Sequence, residues 1–494
     1  MIWFPKKNGG NSSEESESGP SPSYPSHSQP DFNQAPADNS TNPSITAADQ
    51  ASGRPVPTSG TANPASGSPS VDCLSRIENV ISSKGRGVIM KLYLENFKRL
   101  NQVFGYHYCQ QLLSQIIQYL EKKTKHPVYR YIGVEFILIL ENYTQGQASA
   151  LAEEILEQFD HVWKVENTDC LCSAQIGFCS YPGYADNTDE MLKYLDEAVT
   201  KAADMGPNQY ACYDSVLQAV TLRKQAIAKY LQTALENQEI EVRYRPTFHT
   251  ATGRFTRAEF YMRIFIQGIG MVGADEFLPI AEDSGQIRAI EYFALNQVGR
   301  CISNLILQGK EFDSVSLPIS PLLFLQEDFL DEVERVMDTY KIPAGKLALE
   351  IEESTLTTAY LNINTSMQEL EEMGVELILN GFGSGVSSIT SILELPVHTL
   401  KFERTFIWQM ETNPRSLPVI RGLLSIAEDL NLNVIAEGVE TENQVSLLNS
   451  YKCPYLQGFY YSPTVTKDTL MEVIGSTLDE SRQTILKEKE KMRR

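Results

Sequence analysis

Apolar residues follow three different patterns along this chain. Residues 8 to 70 hold almost no Leu, Ile, Val or Phe and are rich in Ser, Pro, Asn, Gly and Ala. A segment of this kind cannot bury enough apolar surface to offset the entropy that a chain loses on ordering. We therefore predict a disordered tail over residues 1–72, with folded chain after it.

Between residues 73 and 215, short apolar runs alternate with stretches in which apolar residues recur at helical spacing. A tight turn at Ile132–Gly133 joins two of the runs. The pattern predicts strands at Val88–Leu94, Val128–Tyr131, Phe136–Leu140 and Leu171–Tyr181. It predicts helices at Phe97–Lys125, Gln147–Phe159 and Thr188–Met205. We expect an α/β domain here, with a central sheet flanked by helices.

A second region, residues 241–478, repeats strand-like runs and helical stretches many times. A helix at Val216–Asn237, inside a linker over residues 216–240, leads into it, and a charged helix over residues 479–494 follows it. Alternation of strands and helices over this length favours a (β/α)8 barrel, so the whole chain belongs to the α/β class. The strands predicted for the barrel are Glu241–Tyr244, Ala258–Ile264, Ser314–Leu317, Leu347–Ile351, Glu376–Leu379, Thr399–Phe402 and Asn433–Ala436.

Polar and charged side chains recur where these predicted strands end. In barrels of this class, the chemistry lies at the carboxyl ends of the strands. The residues at those ends include Glu350, Asn380, Lys401, Glu403 and Glu437. We therefore expect the functional site of the second region to gather around them.

Length and charge narrow the class of protein. The chain has 494 residues, more than one domain usually holds, and a hydrophobic fraction of 42% supports at least two cores. Its formal net charge of −21 argues against broad nucleic-acid binding, which needs clustered Lys and Arg. An acidic protein can still bind a small anionic nucleotide in a local basic pocket.

The sequence carries no signal peptide and no transmembrane segment by its apolar pattern. Only a short apolar run stands beside Lys6 and Lys7, and no later stretch reaches the ~18 apolar residues that span a bilayer. The eight cysteines are scattered, and no second pair completes a zinc site with Cys170 and Cys172. We expect a cytoplasmic protein in which most cysteines are small core residues.

Several segments of residues 218–475 resemble the EAL phosphodiesterase family in order and spacing. Ala258-Glu259-Phe260 stands at the signature of the family, and the later matches are LALEIEES, LILNGFGSGVSSI, LPVHTLKFERTFI, VIAEGVET and YLQGFYYS. The resemblance implies a TIM-like barrel that binds cyclic di-GMP. In active members of the family, two divalent cations, Mg²⁺ or Mn²⁺, assist hydrolysis of this nucleotide to pGpG.

The metal-ligand positions that the resemblance implies are only partly kept. Glu259 and Glu350 stand at two of them. Pro318 replaces an asparagine, whereas Asn380 and Gly381 replace a pair of aspartates. Each lost carboxylate matters, because a unit charge pair at about 4 Å is worth roughly 4 kcal/mol even at an effective dielectric of about 20. We therefore expect cation affinity to collapse.

The nucleotide-contact positions that the resemblance implies are better kept. They are Arg245, Pro246, Glu259, Arg263, Glu437 and Gln457. Lys401 and Glu437 stand at catalytic positions of the family, where we expect them to be non-functional without the metal pair. Arg245 replaces a glutamine, and either adds a phosphate contact or alters the pocket. A structural role stays open for the same side chains, with Arg263 as an ion-pair partner inside the barrel.

Residues 88–214 resemble the GGDEF diguanylate cyclase family less closely. The matching segments are YLENFKRLNQVFG, RYIGVEF and AVTKAADMGPNQYACYD. Tyr93 stands where a cyclase needs a metal-binding aspartate, and Ile132 replaces a glycine of the turn that approaches GTP. Val134 replaces the central acidic residue, although Glu135 is kept. We expect no cyclase activity, and a structural or regulatory role for this domain.

The sequence leaves three hypotheses for the function. In the first, the barrel is a receptor that binds cyclic di-GMP without any cofactor and acts on an unknown protein partner. In the second, it is a phosphodiesterase that needs Mg²⁺ or Mn²⁺. In the third, it is an interaction scaffold that no longer binds nucleotide. We favour the receptor, and expect a homodimer formed through Phe382–Ile389, because EAL barrels often pair through this segment.

Overall fold

The computed structural model describes residues 69–83, 85–166, 168–383, 392–393 and 395–493. The predicted tail as far as residue 68, and residues 384–389 of the predicted pairing segment, lie outside the described residues. The first helix begins at Pro69, four residues inside the segment that we predict to be disordered.

The N-terminal domain is built on one central sheet. Its strands and one separate hairpin are β1 (Gly87–Leu94), β2 (Val128–Arg130), β3 (Glu135–Glu141), β4 (Trp163–Val165), β5 (Thr168–Cys170), β6 (Ala174–Tyr181) and β7 (Tyr210–Tyr213). Its helices are α1 (Pro69–Ser82), α2 (Phe97–Thr124), α3 (Gln145–Leu156) and α4 (Thr188–Asp204). The five-stranded sheet has the order β2-β3-β1-β6-β7, and β4 pairs with β5 outside it. The last predicted strand is shorter than expected, because the segment from Leu171 joins the sheet only at Ala174.

Side chains of the central strand β1 alternate between two cores. Val88, Met90 and Leu92 pack with residues of α2 and α3 on one face of the sheet. Ile89 packs with residues of α1 and α4 on the other face. Because side chains alternate along a strand, Lys91 also points to the face that α1 and α4 cover. A charged residue is thereby placed inside an otherwise apolar layer.

One helix, α5 (Ser215–Ala234), connects the two domains. The Asp214 carboxylate accepts hydrogen bonds from the N–H groups of Val216 and Leu217, both at 2.9 Å, and so caps the first turn. The helix ends three residues before the predicted end at Asn237.

The second domain is a closed barrel with an outer layer of helices. Its strands are β8 (Ile240–His249), β9 (Arg254–Ile266), β10 (Gly270–Gly273), β11 (Ser314–Ile319), β12 (Leu347–Glu352), β13 (Glu376–Phe382), β14 (Thr399–Phe402), β15 (Asn433–Ala436) and β16 (Tyr455–Leu456). Its described helices are α6 (Ala274–Asp283), α7 (Ile287–Leu307), α8 (Phe329–Tyr340), α9 (Glu353–Glu372), α10 (Arg404–Trp408), α11 (Ser416–Asp429), α12 (Glu442–Ser450), α13 (Lys467–Val473) and α14 (Leu478–Arg493). The strand order is β10-β9-β11-β12-β13-β14-β15-β16-β8, and β8 also pairs with β9, which closes the ring.

The barrel departs from simple strand–helix alternation at its first strand. β8 and β9 form an antiparallel hairpin, and β8 is also antiparallel to β16. The hairpin register sets Glu241 opposite Arg263 and Arg245 opposite Glu259. Opposite residues of an antiparallel pair face the same side, so this hairpin presents several charged side chains together.

Side chains stack in layers inside the barrel. An apolar cluster, separate from the core between strands and helices, is formed by Ala348, Ile378, Ile435 and Tyr455. Because side chains alternate, residues two positions further on face the same interior at the carboxyl ends of the strands. Those residues are Glu350, Asn380, Glu437 and Gln457. The strand pattern thus gathers four residues of interest around one barrel mouth.

Candidate functional site

A buried lysine stands at the centre of the barrel mouth. The Lys401 Nζ lies 2.8 Å from Glu259 Oε2, 2.9 Å from Glu350 Oε2 and 3.7 Å from Glu437 Oε2. Lys401, Glu259 and Glu350 are almost completely buried. The Ser316 hydroxyl donates to Glu350 Oε1 at 2.5 Å, which completes the hydrogen bonding of this carboxylate. We call Lys401, Glu259, Glu350 and Glu437 the lysine cluster.

Burial and proximity set the charges in the lysine cluster. Burial, together with the neighbouring Glu259, raises the pKa of Glu350 to about 7. Burial also acts on Glu259, but the positive charges of Lys401 and Arg245 outweigh it and lower the pKa of that carboxyl. Burial disfavours the charge of Lys401, yet the facing carboxylates hold the pKa of its ammonium well above the usual value. A permanent cation is thus built into the site.

A second cation, Arg245, covers the lysine cluster from the side of β8. Its Nη1 lies 3.4 Å from Glu437 Oε1, and its guanidinium carbon lies 4.5 Å from the centre of the Tyr261 ring. The Arg245 side chain keeps 21% of its surface exposed, whereas that of Lys401 keeps 1%. Arg245 is therefore the cation of this site that a ligand entering the mouth can reach.

The donors present at the barrel mouth do not fit a pair of divalent cations. Pro318 offers no side-chain ligand. The Asn380 Nδ2 donates to Glu352 Oε1 at 3.0 Å, and its Oδ1 accepts from the Gly381 N–H at 2.8 Å. Both remaining carboxylates of the family's metal positions contact the Lys401 ammonium, which an incoming cation would have to displace. Among the residues that the structure describes, no group of three or more His, Cys, Asp or Glu side chains is arranged to hold a metal ion.

Arg263 forms a bidentate ion pair with Glu241. Its Nε lies 2.7 Å from Glu241 Oε2 and its Nη2 lies 2.7 Å from Glu241 Oε1. The carboxylate is reached across the β8–β9 hairpin and lies outside the lysine cluster. The position fits both the ligand contact and the structural role left open by the sequence.

Gln457 and Pro246 are placed differently from each other. Gln457 is buried, and its Nε2 donates to Thr247 Oγ1 at 2.9 Å. The Gln457 Oε1 has no hydrogen-bond partner within the described part of the chain. Pro246 is set opposite Ala258, which belongs to the core outside the barrel, so it falls on the other face of the sheet from Arg245. The structure therefore brings Gln457, but not Pro246, to the barrel interior.

The motif region of the N-terminal domain contains a second buried lysine. The Lys91 Nζ lies 2.8 Å from Glu135 Oε2 and also contacts the Asp196 carboxylate on α4. Its ammonium lies 5.8 Å from the centre of the Tyr131 ring. The surviving glutamate of the motif is thus an ion-pair partner of the protein's own lysine. Ile132, at the tip of the turn, is 61% exposed, so its branched side chain borders any ligand that approaches there.

Four residues of these contacts are not among the site residues predicted from the sequence: Lys91, Glu241, Tyr261 and Ser316. Glu241 could be found by writing β8 and β9 as an antiparallel hairpin, because the alternate charged residues of one strand then face those of the other. Strict alternation of strands and helices would make β8 and β9 parallel, so the pattern does not indicate their antiparallel pairing. Lys91 gives only a weak signal, as one charge inside an apolar run.

Most of the cysteines are core residues, as the sequence predicts. All eight cysteines are free, and seven of them are buried. No helix within the described ranges is both long enough and apolar enough to cross a membrane.

Two family models match this chain, one in each domain. The model of the "Diguanylate cyclase, GGDEF domain" family matches residues 73–209. The model of the "EAL domain" family matches residues 228–464. The two matches follow each other along the chain in the order that the sequence motifs indicate.

Curated relatives match most of this chain at low identity. The chain is 27% identical over 402 residues to the bifunctional diguanylate cyclase/cyclic di-GMP phosphodiesterase MucR of Pseudomonas aeruginosa, covering 81% of this chain and 58% of the relative. It is 28% identical over 397 residues to the signaling protein YkoW of Bacillus subtilis, covering 78% of this chain and 49% of the relative. The chain therefore spans about half the length of the curated relatives that it matches.

Solved structures resemble the described fold. The S helix–GGDEF–EAL structure of Vibrio cholerae LapD, bound to c-di-GMP, has a TM-score of 0.53 and 18% identity, and covers 79% of this chain and 93% of that one. The c-di-GMP complex of the PaMucR phosphodiesterase has a TM-score of 0.47 and 28% identity, and covers 49% of this chain and 99% of that one. The likeness to LapD shows a shared fold.

Proposed function

Because the chain carries a GGDEF domain followed by an EAL domain, the tandem of cyclic di-GMP signalling proteins, we propose that it is a cyclic di-GMP receptor with two degenerate catalytic centres. The barrel binds the nucleotide at its mouth without a metal cofactor and acts on a protein partner. The N-terminal domain has a regulatory role and makes no nucleotide.

One observation carries this proposal: at the barrel mouth, the positive charges that contact the carboxylates belong to the side chains of Lys401 and Arg245. Lys401 lies between Glu259 and Glu350 at 2.8 and 2.9 Å, and Arg245 stands beside them at the open side. Phosphate groups are bound well by guanidinium groups, which donate in a planar fork. The name of the relative MucR includes a cyclic di-GMP phosphodiesterase, which supports this nucleotide as the ligand.

The same arrangement argues against hydrolysis. Metal ions in such centres lower the pKa of bound water from 15.7 to about 7 and so create the attacking hydroxide. An ammonium group offers no coordination site for water, and Pro318 and Gly381 offer no side-chain ligands for a metal. In this proposal Lys401 and Glu437 have no catalytic role. Lys401 neutralises the buried carboxylates, and Glu437 pairs with Arg245.

Calorimetry on the full chain tests the proposal. Cyclic di-GMP is titrated first in EDTA and then with Mn²⁺ or Mg²⁺, and the nucleotide is afterwards separated by chromatography to detect pGpG. We expect binding of similar strength under all conditions, with the ligand intact. Cleavage with metal would establish the phosphodiesterase, and absence of heat in every buffer would leave a protein-interaction scaffold.

A restored variant tests whether the metal site can be recovered simply. The double change Asn380→Asp with Gly381→Asp returns the two carboxylates. We expect no cleavage of cyclic di-GMP, because the side chain of Pro318 still has no atom that can bind a metal. In addition, Gly381 has a φ of 74°, and a Cβ there would lie 2.9 Å from Glu352 Oε2. Cleavage by this variant alone would show that the two aspartates are the missing element.

A further inference from the structure

The C-terminal helix α14 reaches the barrel mouth through a buried charge. Glu488, on its penultimate turn, is 1% exposed, and its Oε2 lies 2.9 Å from Arg243 Nη2 on β8. The same Nη2 donates to the Thr464 carbonyl at 2.7 Å. Ile485, one turn earlier, is part of the main barrel core. The helix is therefore docked by this buried ion pair, by the apolar contact of Ile485, and by hydrogen bonds that include Thr469 Oγ1 to Glu488 Oε1 at 3.4 Å and Lys489 Nζ to the Tyr460 carbonyl at 3.3 Å.

Arg243 connects this docked helix to the pocket. Its Nη1 lies 3.2 Å from Glu241 Oε1, the same oxygen that accepts from Arg263 Nη2 at 2.7 Å. The Arg243 Nε is buried and has no hydrogen-bond partner among the described residues. Arg243 thus keeps a spare donor while it stands between two carboxylates. The order of contact is Arg263, Glu241, Arg243 and Glu488.

Arg263 and Glu241 are partly exposed members of this network. Two arginines and two glutamates sum to zero, and Arg243 and Glu488 are the buried members. If a phosphate or guanine edge draws Arg263 away, Glu241 loses its bidentate partner. Arg243 is the nearest remaining cation to Glu241, and a stronger contact between them weakens the hold of Arg243 on Glu488.

We propose that nucleotide binding at the barrel mouth and docking of α14 compete through the Arg263–Glu241–Arg243–Glu488 network, so that each weakens the other. Glu241 is a positioning residue in this scheme, because it acts on the ligand through Arg263. The inference rests on the proposed function for its ligand, cyclic di-GMP. In this scheme, α14 is released from the barrel when the nucleotide is bound.

Coupling between two sites is reciprocal, so the competition is measured from both ends. In the full chain, Glu488→Gln removes the charge that holds Arg243 and keeps the size of the side chain. We expect cyclic di-GMP to bind about 5-fold more tightly or better to this variant, within the range usual for coupled sites. Glu490→Gln, an equal change at an exposed position of the same helix, is the matched control and should leave affinity unchanged.

From the other end, hydrogen exchange of residues 478–490 is followed with and without cyclic di-GMP. We expect faster exchange in the bound wild type. Unchanged affinity in Glu488→Gln together with unchanged exchange on binding would overturn the coupling.

A ligand-independent variant separates this inference from the proposed function. Arg263→Ala imitates the loss of Arg263 to a ligand, and we expect faster exchange of α14 in this variant without any nucleotide. If the wild type binds no cyclic di-GMP but Arg263→Ala loosens α14, the proposed ligand is wrong and the network stands. If Arg263→Ala leaves α14 protected as in the wild type, the network is wrong whatever the ligand.

Discussion

Each domain contains one buried lysine that neutralises a surviving motif glutamate, and the two surroundings differ. Lys91 faces Glu135 and Asp196, whose side chains are 23% and 58% exposed. Lys401 faces Glu259 and Glu350, whose side chains are 5% and 1% exposed. Water screens the charges of the first group and is nearly excluded from the second.

The difference explains why we propose a ligand at the barrel mouth and none at the motif region of the N-terminal domain. Around Lys91 the exposed charges are carboxylates, which repel a phosphate. At the barrel mouth the more exposed cation is Arg245, beside a pocket whose buried charges already have partners. At the barrel mouth the buried carboxylates contact Lys401, and Arg245, which is ion-paired to Glu437 at 3.4 Å, still has N–H groups that a ligand can reach. On the central strand of the N-terminal sheet, Lys91 contacts its own two carboxylates.

The largest expected effect comes from removing the cation of the barrel. Lys401→Met leaves Glu259 and Glu350 buried without a counter-charge, and we expect a loss of about 3–5 kcal/mol in the free energy of unfolding. Urea unfolding measures the change. Adding Glu350→Gln to this variant should restore part of the loss. A Lys401→Met variant as stable as the wild type would contradict the role given to this ammonium.

The second prediction is a pH dependence of the free energy of unfolding, which arises from the buried carboxyl of Glu291. Burial raises the pKa of Glu291 to about 8, because its Oε1 accepts only the Ser320 N–H, at 2.6 Å, and its Oε2 has no partner among the described residues. The folded state then keeps a proton that the unfolded state releases near pH 4.5. The wild type should lose stability relative to Glu291→Gln as pH rises from about 5 to 8, by up to ~1.4 kcal/mol per pH unit.

Unfolding of the two proteins at several pH values checks this prediction. Above about pH 8 the difference should stop growing, because Glu291 is then ionised in both states. Parallel curves for wild type and Glu291→Gln between pH 5 and 8 would show that this carboxyl is ionised in the folded barrel.

Arg245, which is more exposed than Lys401, should contribute to the affinity for the nucleotide. Arg245→Gln restores the residue that the EAL family has and removes one charge. We expect cyclic di-GMP to bind about tenfold more weakly in EDTA, equivalent to ~1.4 kcal/mol, as measured by calorimetry. Arg421→Gln, at an exposed position on α11, serves as the control. Equal affinity in Arg245→Gln would remove this arginine from the ligand site.

The smallest effect should come from the lysine of the N-terminal domain. Lys91→Met leaves Glu135 and Asp196 near water, so we expect a loss of only about 1 kcal/mol in the free energy of unfolding. Lys98→Met, at an exposed position on α2, is a matched control. A loss as large as that of Lys401→Met would erase the contrast between the two domains.

Much of the architecture can be predicted from the chain pattern. Apolar runs locate four of the five strands of the N-terminal sheet, all but β7, and most strands of the barrel, because burial on both faces leaves long apolar stretches. β10 and β16 are missed, since strands of four and two residues carry too little pattern. The antiparallel start of the barrel is missed as well, because strand direction depends on the pairing partner and not on the strand itself.

The sequence by itself determined which charges the barrel mouth lacks. Pro318 and Gly381 cannot supply side-chain ligands for a metal in any conformation, because the required atoms are absent from their side chains. Retention of Lys401, Glu437 and Gln457 is equally evident from the residues and the family motifs. No structure is needed for these statements.

Only the tertiary structure decided what the remaining charges do. The contact of Lys401 with both glutamates depends on three strands that lie far apart in the chain and meet inside one barrel. The pairing of Arg263 with Glu241 depends on the register of the β8–β9 hairpin. Ion-pair energies change steeply with distance and burial, and both quantities arise only when distant segments pack together.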